Sequence, residues 1–231
     1  MIMPTRTGLA IILTVGLLFV MPAFSSAGTG EEAKVQAATS VIKEIEQIPE
    51  SCIPPNLLGS AYGIAIFPDF LKAGFIVGGR YGGGVMVVRT PDGSWSNPVF
   101  FTMTGASVGF QIGAQASDVV LVFRSIRSLD SITSGKFTLG MDASVAAGPV
   151  GRHAEAGTDV QLRAEILSYS RSRGLFAGVA LEGAAMQVDY GANAAFYNIP
   201  GLLPMEIFQR RDVQAPAVAE ELKRVLRTYS N

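Results

Sequence analysis

Residues 105–124, GASVGFQIGAQASDVVLVFR, are the stretch of sequence that decides the fold. Its first half alternates between apolar residues on one parity and glycine, serine or glutamine on the other; the apolar parity holds Ala106, Val108, Phe110, Ile112 and Ala114. This alternation predicts a strand, because successive side chains leave a strand on opposite faces. Residues 119–123 are apolar on both parities, which is typical of a strand buried on both faces. A glycine-lined face lets a neighbouring layer approach the backbone closely, so we expect this stretch to form core scaffold.

The same alternation occurs upstream, within residues 63–103. We predict strands at 63–67, 75–80, 85–89 and 98–103, divided by Pro68, a run of three glycines and the turn sequence TPDG. Glycine again occupies one parity, at positions 74, 78, 82 and 84. The glycine-bearing segments are therefore expected to be neighbours whose bare faces make close contacts with another layer.

The remainder of the chain adds strands and helices. Further strands are predicted at 137–147, 162–170 and 174–188. Apolar residues at spacings of three and four predict helices at 31–48, at 126–133 and at about 216–229. Because the strands run together and the helices gather at the ends, the predicted class is α+β. We expect a mostly antiparallel, barrel-like sheet with an N-terminal amphipathic helix, a short mid-chain helix and a C-terminal helix.

The first 27 residues have the pattern of a secretory signal peptide. Arg6 provides a positive charge, residues 9–20 are apolar, and small residues at 25–27 allow cleavage after Ala27. The alternative is an uncleaved N-terminal anchor, but the apolar run is shorter than the roughly 20 residues that a spanning helix needs. We therefore predict a cleaved signal at 1–27 and a single domain at 28–231.

The residue inventory argues against catalysis. His153 is the only histidine, which excludes histidine-clustered zinc sites and leaves one candidate for a catalytic triad. The glycine-rich segment 78–84 lacks the spacing of a nucleotide-binding loop. A formal net charge of −1 disfavours nucleic acid as a partner. Cys52, the only cysteine, can form no internal disulfide. We therefore predict a protein that is not an enzyme and that has no cofactor or metal.

Basic residues are the more informative signal, because many of them fall at the edges of predicted elements. Arginine binds phosphate through two parallel hydrogen bonds and lysine binds it as a point charge. The residues predicted to bind an anionic headgroup are Lys72, Arg80, Arg152, Arg171 and Arg173. On spacing alone, a solvated rim without a ligand is the alternative.

Several local phrases, taken in order, are similar to those of a known family. They are residues 61–68 (AYGIAIFP), 72–75 (KAGF), 82–84 (GGG), 93–98 (GSWSNP), 109–113 (GFQIG), 148–152 (GPVGR) and 169–178 (YSRSRGLFAG). Together they resemble the SYLF domain, also called the Ysc84-type domain, in a bacterial exported member. The resemblance covers about residues 33–197, which leaves a C-terminal helical extension.

The resemblance implies a lipid-binding protein, with phosphoinositides as the ligands of eukaryotic relatives. For an exported chain, the expected partners are anionic phospholipids or their acyl chains, in the periplasm and in peripheral contact with a membrane. Actin binding, which some fungal members show, is not expected of such a chain. One alternative is a protein-interaction scaffold. The other is an outer-membrane β-barrel, which the fully apolar segment 119–123, the single tryptophan and the charged C-terminal helix all disfavour.

Overall fold

The computed structural model describes residues 29–133, 135–152, 154, 161, 163–172, 174–210 and 212–230. Side chains at positions 29, 74–77 and 107–114 are outside this description. The predicted signal peptide, His153 and Arg173 also lie outside the described residues.

A long antiparallel hairpin forms the centre of the fold. Its two strands are β1 (Gly63–Val88) and β2 (Val99–Phe123), paired in register from Gly63 opposite Phe123 to Met86 opposite Val99. The sequence predicted three separate strands within each of these segments. Each segment instead forms one continuous strand, because the backbone pairing between β1 and β2 continues past Pro68 and the glycines that were expected to divide it.

Pro68 shows how the pairing survives such a break. It lies at an irregularity in the register between Phe67 and Phe70, where the next residue, Asp69, adopts a positive φ of 49°. Proline has no N–H to donate, so a strand tolerates it where the ladder is already interrupted. The proline therefore bends β1 without ending it.

The hairpin folds back on itself at glycines. A methyl group on Gly82 would lie 2.6 Å from Cδ2 of Phe70, and one on Gly84 would lie 2.5 Å from Cδ1 of Phe67. Both aromatic side chains belong to the first half of the same strand and are buried. The close contact predicted for the glycine-bearing face is therefore found here, between the two halves of β1.

Five shorter strands complete a curled, seven-stranded half-barrel: β3 (Lys136–Thr138), β4 (Val145–Ala147), β5 (Ile166–Ser172), β6 (Leu175–Gly178) and β7 (Ala185–Val188). Strand β5 pairs with residues 118–123 of β2, whereas β7 pairs with residues 101–104. The β4–β5 pair is parallel and the other strand pairs are antiparallel. The expected α+β class with a mostly antiparallel sheet is confirmed.

Six α-helices surround the sheet in the described part of the chain. They are α1 (Thr29–Glu46), α2 (Pro55–Gly59), α3 (Ile126–Thr133), α4 (Tyr190–Tyr197), α5 (Pro204–Gln209) and α6 (Ala217–Tyr229), with a short 3₁₀ turn at Pro49–Ser51. Helix α3 has the predicted bounds, and α1 and α6 lie within two residues of theirs. The predicted N-terminal, mid-chain and C-terminal helices are therefore confirmed.

Helix α1 is part of the core. Val35, Ala38, Ile42 and Ile45 are at most 2% exposed, and the helix packs on β1 and α6. An ion pair of 2.6 Å joins Lys43 on its outer side to Glu221 of α6. The apolar face of α1 is thus covered by the rest of the domain, whereas Ile48, which the prediction included in the helix, lies beyond its end and is 49% exposed.

Candidate functional site

The middle of the hairpin is a two-stranded ribbon, which we define as residues 71–80 and 105–116. Within the described part of the chain, these residues form backbone pairs only with each other, because β7 stops pairing with β2 at Thr104 and β5 starts at Asp118. The ribbon contains two cations, Lys72 and Arg80, and no acidic residue. It is the longest part of the sheet without a third strand in the described residues.

The two cations of the ribbon have no carboxylate partner among the described residues. The Nε and Nη2 atoms of Arg80 donate to the carbonyl oxygen of Ala106 at 3.1 and 2.9 Å. This bond crosses the ribbon next to Gly105, which is the residue paired with Arg80. A carbonyl oxygen orients the side chain but does not neutralise its charge. Lys72, opposite Gln115, remains at the other end of the ribbon.

Apolar side chains flank these cations on the surface. Leu71 is 49% exposed, and Tyr81, directly after the ribbon, is 58% exposed. Each of them is the chain neighbour of a cation and, because successive side chains leave a strand on opposite faces, lies on the other face of the ribbon, so the element combines apolar area with positive charge. Such a combination suits the boundary between water and an anionic lipid layer.

Arg171, another predicted headgroup ligand, is already engaged inside the domain. Its Nε and Nη2 atoms donate to Oδ2 of Asp118 at 3.0 and 2.8 Å, and its Nη1 donates to Glu44 of α1. These carboxylates outweigh the cost of burial and raise the pKa of the guanidinium. A lipid phosphate would have to displace both of them. The contacts indicate that Arg171 ties α1 to β2 and β5.

The pocket beside Arg171 is small and acidic on balance. It measures about 220 Å³, and its charged residues are Asp69, Asp118 and Arg171. The backbone N–H of Asp69 donates to Oδ1 of Asp118 at 3.1 Å, so this carboxylate is shared between two partners. Two carboxylates against one guanidinium make the pocket a poor site for an anion.

Arg152 lies apart from the ribbon, next to the C-terminal end of α1. Its side chain is exposed, and its backbone N–H donates to the carbonyl oxygen of Pro49 at 2.8 Å. Its charge acts to lower the pKa of the nearby Glu46 carboxyl, against the larger effect of burial. The structure therefore places Lys72 and Arg80 at the two ends of one element, the ribbon. It places Arg152 and Arg171 around α1, and Arg173 lies outside the described residues.

Glu46 is a buried carboxyl that the sequence did not single out. It is 8% exposed, and its Oε1 accepts a hydrogen bond of 3.2 Å from the backbone N–H of Ile53. Burial raises its pKa from 4.5 to about 7, although the hydrogen bond and Arg152 act in the opposite direction. Glu44 of the same helix and Gln47, directly after it, are exposed. The helical period alone placed Glu46 with them on the outer face, because it could not anticipate the turn that covers it.

Tyr169 lies near this carboxyl, on β5. Its ring stacks on Phe176 with centroids 5.4 Å apart and fills the space above Gly148. Burial raises the pKa of its hydroxyl, and the charges of Glu46 and Cys52 act in the same direction. Among the described atoms, this hydroxyl has no hydrogen-bond partner.

The described residues include neither a metal-binding cluster nor a helix that could span a membrane. Within them, no three histidine, cysteine, aspartate or glutamate side chains are grouped closely enough to hold a metal ion. Among the described helices, none is long and apolar enough to cross a membrane.

The fold and these sites define an α+β domain built on a folded hairpin, and comparisons with known proteins identify its family. The Ysc84 family model, described as Las17-binding protein actin regulator, matches residues 104–229. The chain therefore belongs to the Ysc84 (SYLF) family.

Proteins that are similar to this chain along most of its length support the same family. The human SH3 domain-containing YSC84-like protein 1 is 34% identical over 205 residues, which cover 86% of this chain and 59% of the human protein. Protein YSC84 of Saccharomyces cerevisiae is 40% identical over 180 residues, which cover 77% of this chain and 38% of the yeast protein. The chain thus spans about three fifths of the human relative and less than half of the yeast one.

Proposed function

We propose that this chain is a non-catalytic lipid-binding protein of the cell envelope, exported to the periplasm and associated peripherally with a membrane. Its ligands are anionic phospholipids, contacted through their headgroups, their acyl chains or both. The observation that carries the proposal is the ribbon, with two cations, no acid, and exposed apolar side chains at its ends. Family membership agrees with a binding domain.

Electrostatics support an anionic partner for the ribbon. A lysine or arginine close to an anionic membrane surface contributes about 1 kcal/mol each. Lys72 and Arg80 together are therefore worth about 2 kcal/mol, or roughly thirtyfold in affinity, when anionic lipid replaces neutral lipid. Arg171 adds little to this, because Asp118 and Glu44 already surround its guanidinium.

The backbone limits how deeply the ribbon can enter a bilayer. A two-stranded ribbon has two edges whose N–H and C=O groups lack partners, and each such group costs several kcal/mol in hydrocarbon. We therefore expect contact at the headgroup level, with the stems of Lys72 and Arg80 lying along apolar surface and their charges at the phosphates. Helix α1 does not provide this contact in the folded domain, because its apolar face is buried against β1 and α6.

Vesicle flotation of the full chain tests the proposal. We expect recovery with vesicles of phosphatidylcholine and phosphatidylglycerol to exceed recovery with phosphatidylcholine alone. The double variant Lys72→Ala/Arg80→Ala should lose this preference. The matched control Arg163→Ala/Arg227→Ala removes the same charge from exposed positions outside the ribbon and should retain it. Equal recovery with both vesicle types, or equal loss in both double variants, would refute the ribbon as the contact.

A second candidate function is protein binding. It is favoured by the description of the family, which names Las17 binding and actin regulation. In that case the ribbon would offer strand edges to a protein partner, and a peptide strand would add to the edge of β2 that has no neighbour in the described part of the chain. Flotation would then show no dependence on lipid charge, while the Lys72→Ala/Arg80→Ala variant would keep its partner, since main-chain bonds carry such an interface.

A further inference from the structure

A large cleft lies at the turn that joins β1 to β2. It has a volume of about 950 Å³ and lies between this turn, α3, α5 and the first turns of α6. Pockets that enclose most of a small ligand have volumes of about 300–1,000 Å³. The cleft is therefore large enough for a ligand, and neither the ribbon nor the predicted headgroup residues line it.

Apolar side chains from four segments form the walls of the cleft. They are Trp95, Leu129, Ile207, Phe208 and Val213. Two more, Ile126 and Met205, line it while being 62% and 39% exposed. Exposed apolar side chains that converge on a cleft mark a binding groove more often than isolated ones do. These two give the cleft an apolar mouth.

The cations of the cleft are already satisfied within the domain. Arg210 pairs with Asp212 at 2.7 Å and with Glu206 at 3.3 Å. Lys223 pairs with Glu220 at 2.6 Å and donates to Oδ1 of Asn97 at 3.0 Å. An anionic group entering here would have to break one of these pairs.

Arg89 is also held in place. Its Cζ lies 4.0 Å from the centroid of the Trp95 ring, and its Nη2 donates to the carbonyl oxygens of Leu58 and Gly59 at 3.1 and 3.3 Å. The residues lining the cleft carry three basic and three acidic side chains: Arg89, Arg210, Lys223, Asp92, Asp130 and Glu220. Formal charge in the lining therefore cancels, and the cleft provides no net attraction for an anion.

We propose that this cleft holds one uncharged aliphatic chain of an amphiphile, such as the acyl chain of a lipid. The apolar walls and mouth supply the contact area, and the balanced charges disfavour a ligand whose buried part is ionised. This inference rests on the proposed lipid-binding function and extends it, because it assigns the chain to the cleft and the headgroup contact to a different surface, the ribbon.

Trp95 provides a direct test, since it is the only tryptophan of the chain and lines the cleft. The probe is a monoacylglycerol with bromine atoms at the middle of its chain, used below the concentration at which it forms micelles. Bromine quenches tryptophan emission only at contact distance, so binding in the cleft should quench Trp95. The corresponding brominated fatty-acid anion should bind no more tightly than the uncharged monoacylglycerol.

Two variants act on the cleft in different ways. Ala215→Phe fills part of it, and Ile126→Ser replaces one of the two apolar side chains of its mouth. Each should weaken binding about tenfold, as the exclusion of two methylene groups would. The matched control is Leu175→Ser on β6, which also removes an exposed aliphatic side chain, 78% exposed, but lies outside the cleft. It should leave the quenching curve unchanged.

The outcomes separate this inference from the proposed function. Quenching that is absent, or that persists equally in Ala215→Phe and Ile126→Ser, would overturn the cleft proposal even if vesicle flotation succeeds. Quenching that responds to both variants supports it even if flotation shows no preference for anionic vesicles. A copurified peptide, rather than an amphiphile, in native mass spectra of the full chain would also overturn it.

Discussion

Gly84 lies directly against Ile66 of the same strand: a methyl group on Gly84 would be 2.3 Å from the carbonyl oxygen of Ile66. The two residues are 18 positions apart in β1, so the contact exists only because the hairpin folds back on itself. Backbone on one side and the Phe67 ring on the other leave no direction in which an added side chain could move. Glycine at position 84 is thus a requirement of packing within the hairpin.

Replacing Gly84 by alanine should therefore strongly destabilise the domain. We expect Gly84→Ala to lower the free energy of unfolding by at least about 3 kcal/mol, because a fixed carbonyl oxygen cannot give way. Gly79→Ala is the matched control, since a methyl group there meets no atom within 4 Å. It should raise stability by about 0.4–1 kcal/mol by restricting the unfolded chain. Urea denaturation measures both, and equal stabilities would contradict the folded-hairpin packing.

Removing Arg171 should loosen the attachment of α1. The Arg171 side chain is 24% exposed and its guanidinium bridges Asp118 and Glu44, so we expect Arg171→Ala to cost about 1–2 kcal/mol, between the values for exposed and buried pairs. The control is Arg224→Ala, which breaks an ion pair to Glu221 from a position that is 62% exposed. It should cost less than about 0.5 kcal/mol. If the two variants unfold at the same denaturant concentration, Arg171 has no special structural role.

The raised pKa of Glu46 should make the stability of the domain depend on pH. Its pKa in the folded state is about 7 and its ordinary value is 4.5, so the folded protein binds more protons than the unfolded chain between these values. The stability contributed by the neutral carboxyl is present in full below pH 4.5 and is lost as the pH rises through 7.

The variant Glu46→Gln should remove this dependence. The amide remains neutral and can still accept the Ile53 N–H bond, so we expect it to be roughly 1–3 kcal/mol more stable than the wild type at pH 8. Below pH 4.5 the two proteins should converge, which serves as the internal control. Chemical denaturation at a series of pH values gives the comparison, and parallel curves would show that Glu46 titrates normally.

Two buried tyrosines differ in whether their hydroxyls have a hydrogen-bond partner, so we expect their removal to have opposite effects on stability. The hydroxyl of Tyr197 donates to the carbonyl oxygen of Pro98 at 2.6 Å, whereas that of Tyr169 has no partner among the described atoms. Tyr197→Phe should therefore cost about 1–2 kcal/mol by leaving a buried acceptor unpaired. Tyr169→Phe should be neutral or stabilise by up to about 1 kcal/mol, because it removes an unsatisfied hydroxyl. Thermal denaturation of the two variants decides between these outcomes, and a larger loss for Tyr169→Phe would reveal a missed partner of its hydroxyl.

The helices were predictable because their signals are local. In α1 and α6, the apolar residues recur at spacings of three and four; Pro216 is the N-cap of α6, and Pro49 follows the end of α1 by three residues. The strand boundaries were less predictable. Pro68 and the glycines of β1 looked like breaks, yet the pairing with β2 continues past them because the partner strand, not the local sequence, supplies the hydrogen bonds. In 174–188, one predicted strand became β6 and β7, which pair with β5 and with β2 and β3.

The candidate site was predictable only in part, for a similar reason. The residue types Lys72, Arg80 and Arg171 all suit phosphate, but a sequence does not show which cations already have carboxylate partners. Arg171 meets Asp118 and Glu44, 53 and 127 positions away. The cleft around Trp95 is formed by four segments that are separated along the chain, so no local sequence pattern predicts it.

By itself, the sequence determined the α+β class, the amphipathic helices, the absence of a histidine-clustered zinc site and the glycine parity of the long strands. Each follows from covalent geometry or from composition, which need no tertiary contact. Only the tertiary structure decided that residues 105–124 belong to a hairpin folded on itself, that Glu46 is buried and that Arg171 is neutralised. All three features depend on which residues, distant in the sequence, come into contact in the fold. Those contacts determine the free energy of burial and of ion pairing.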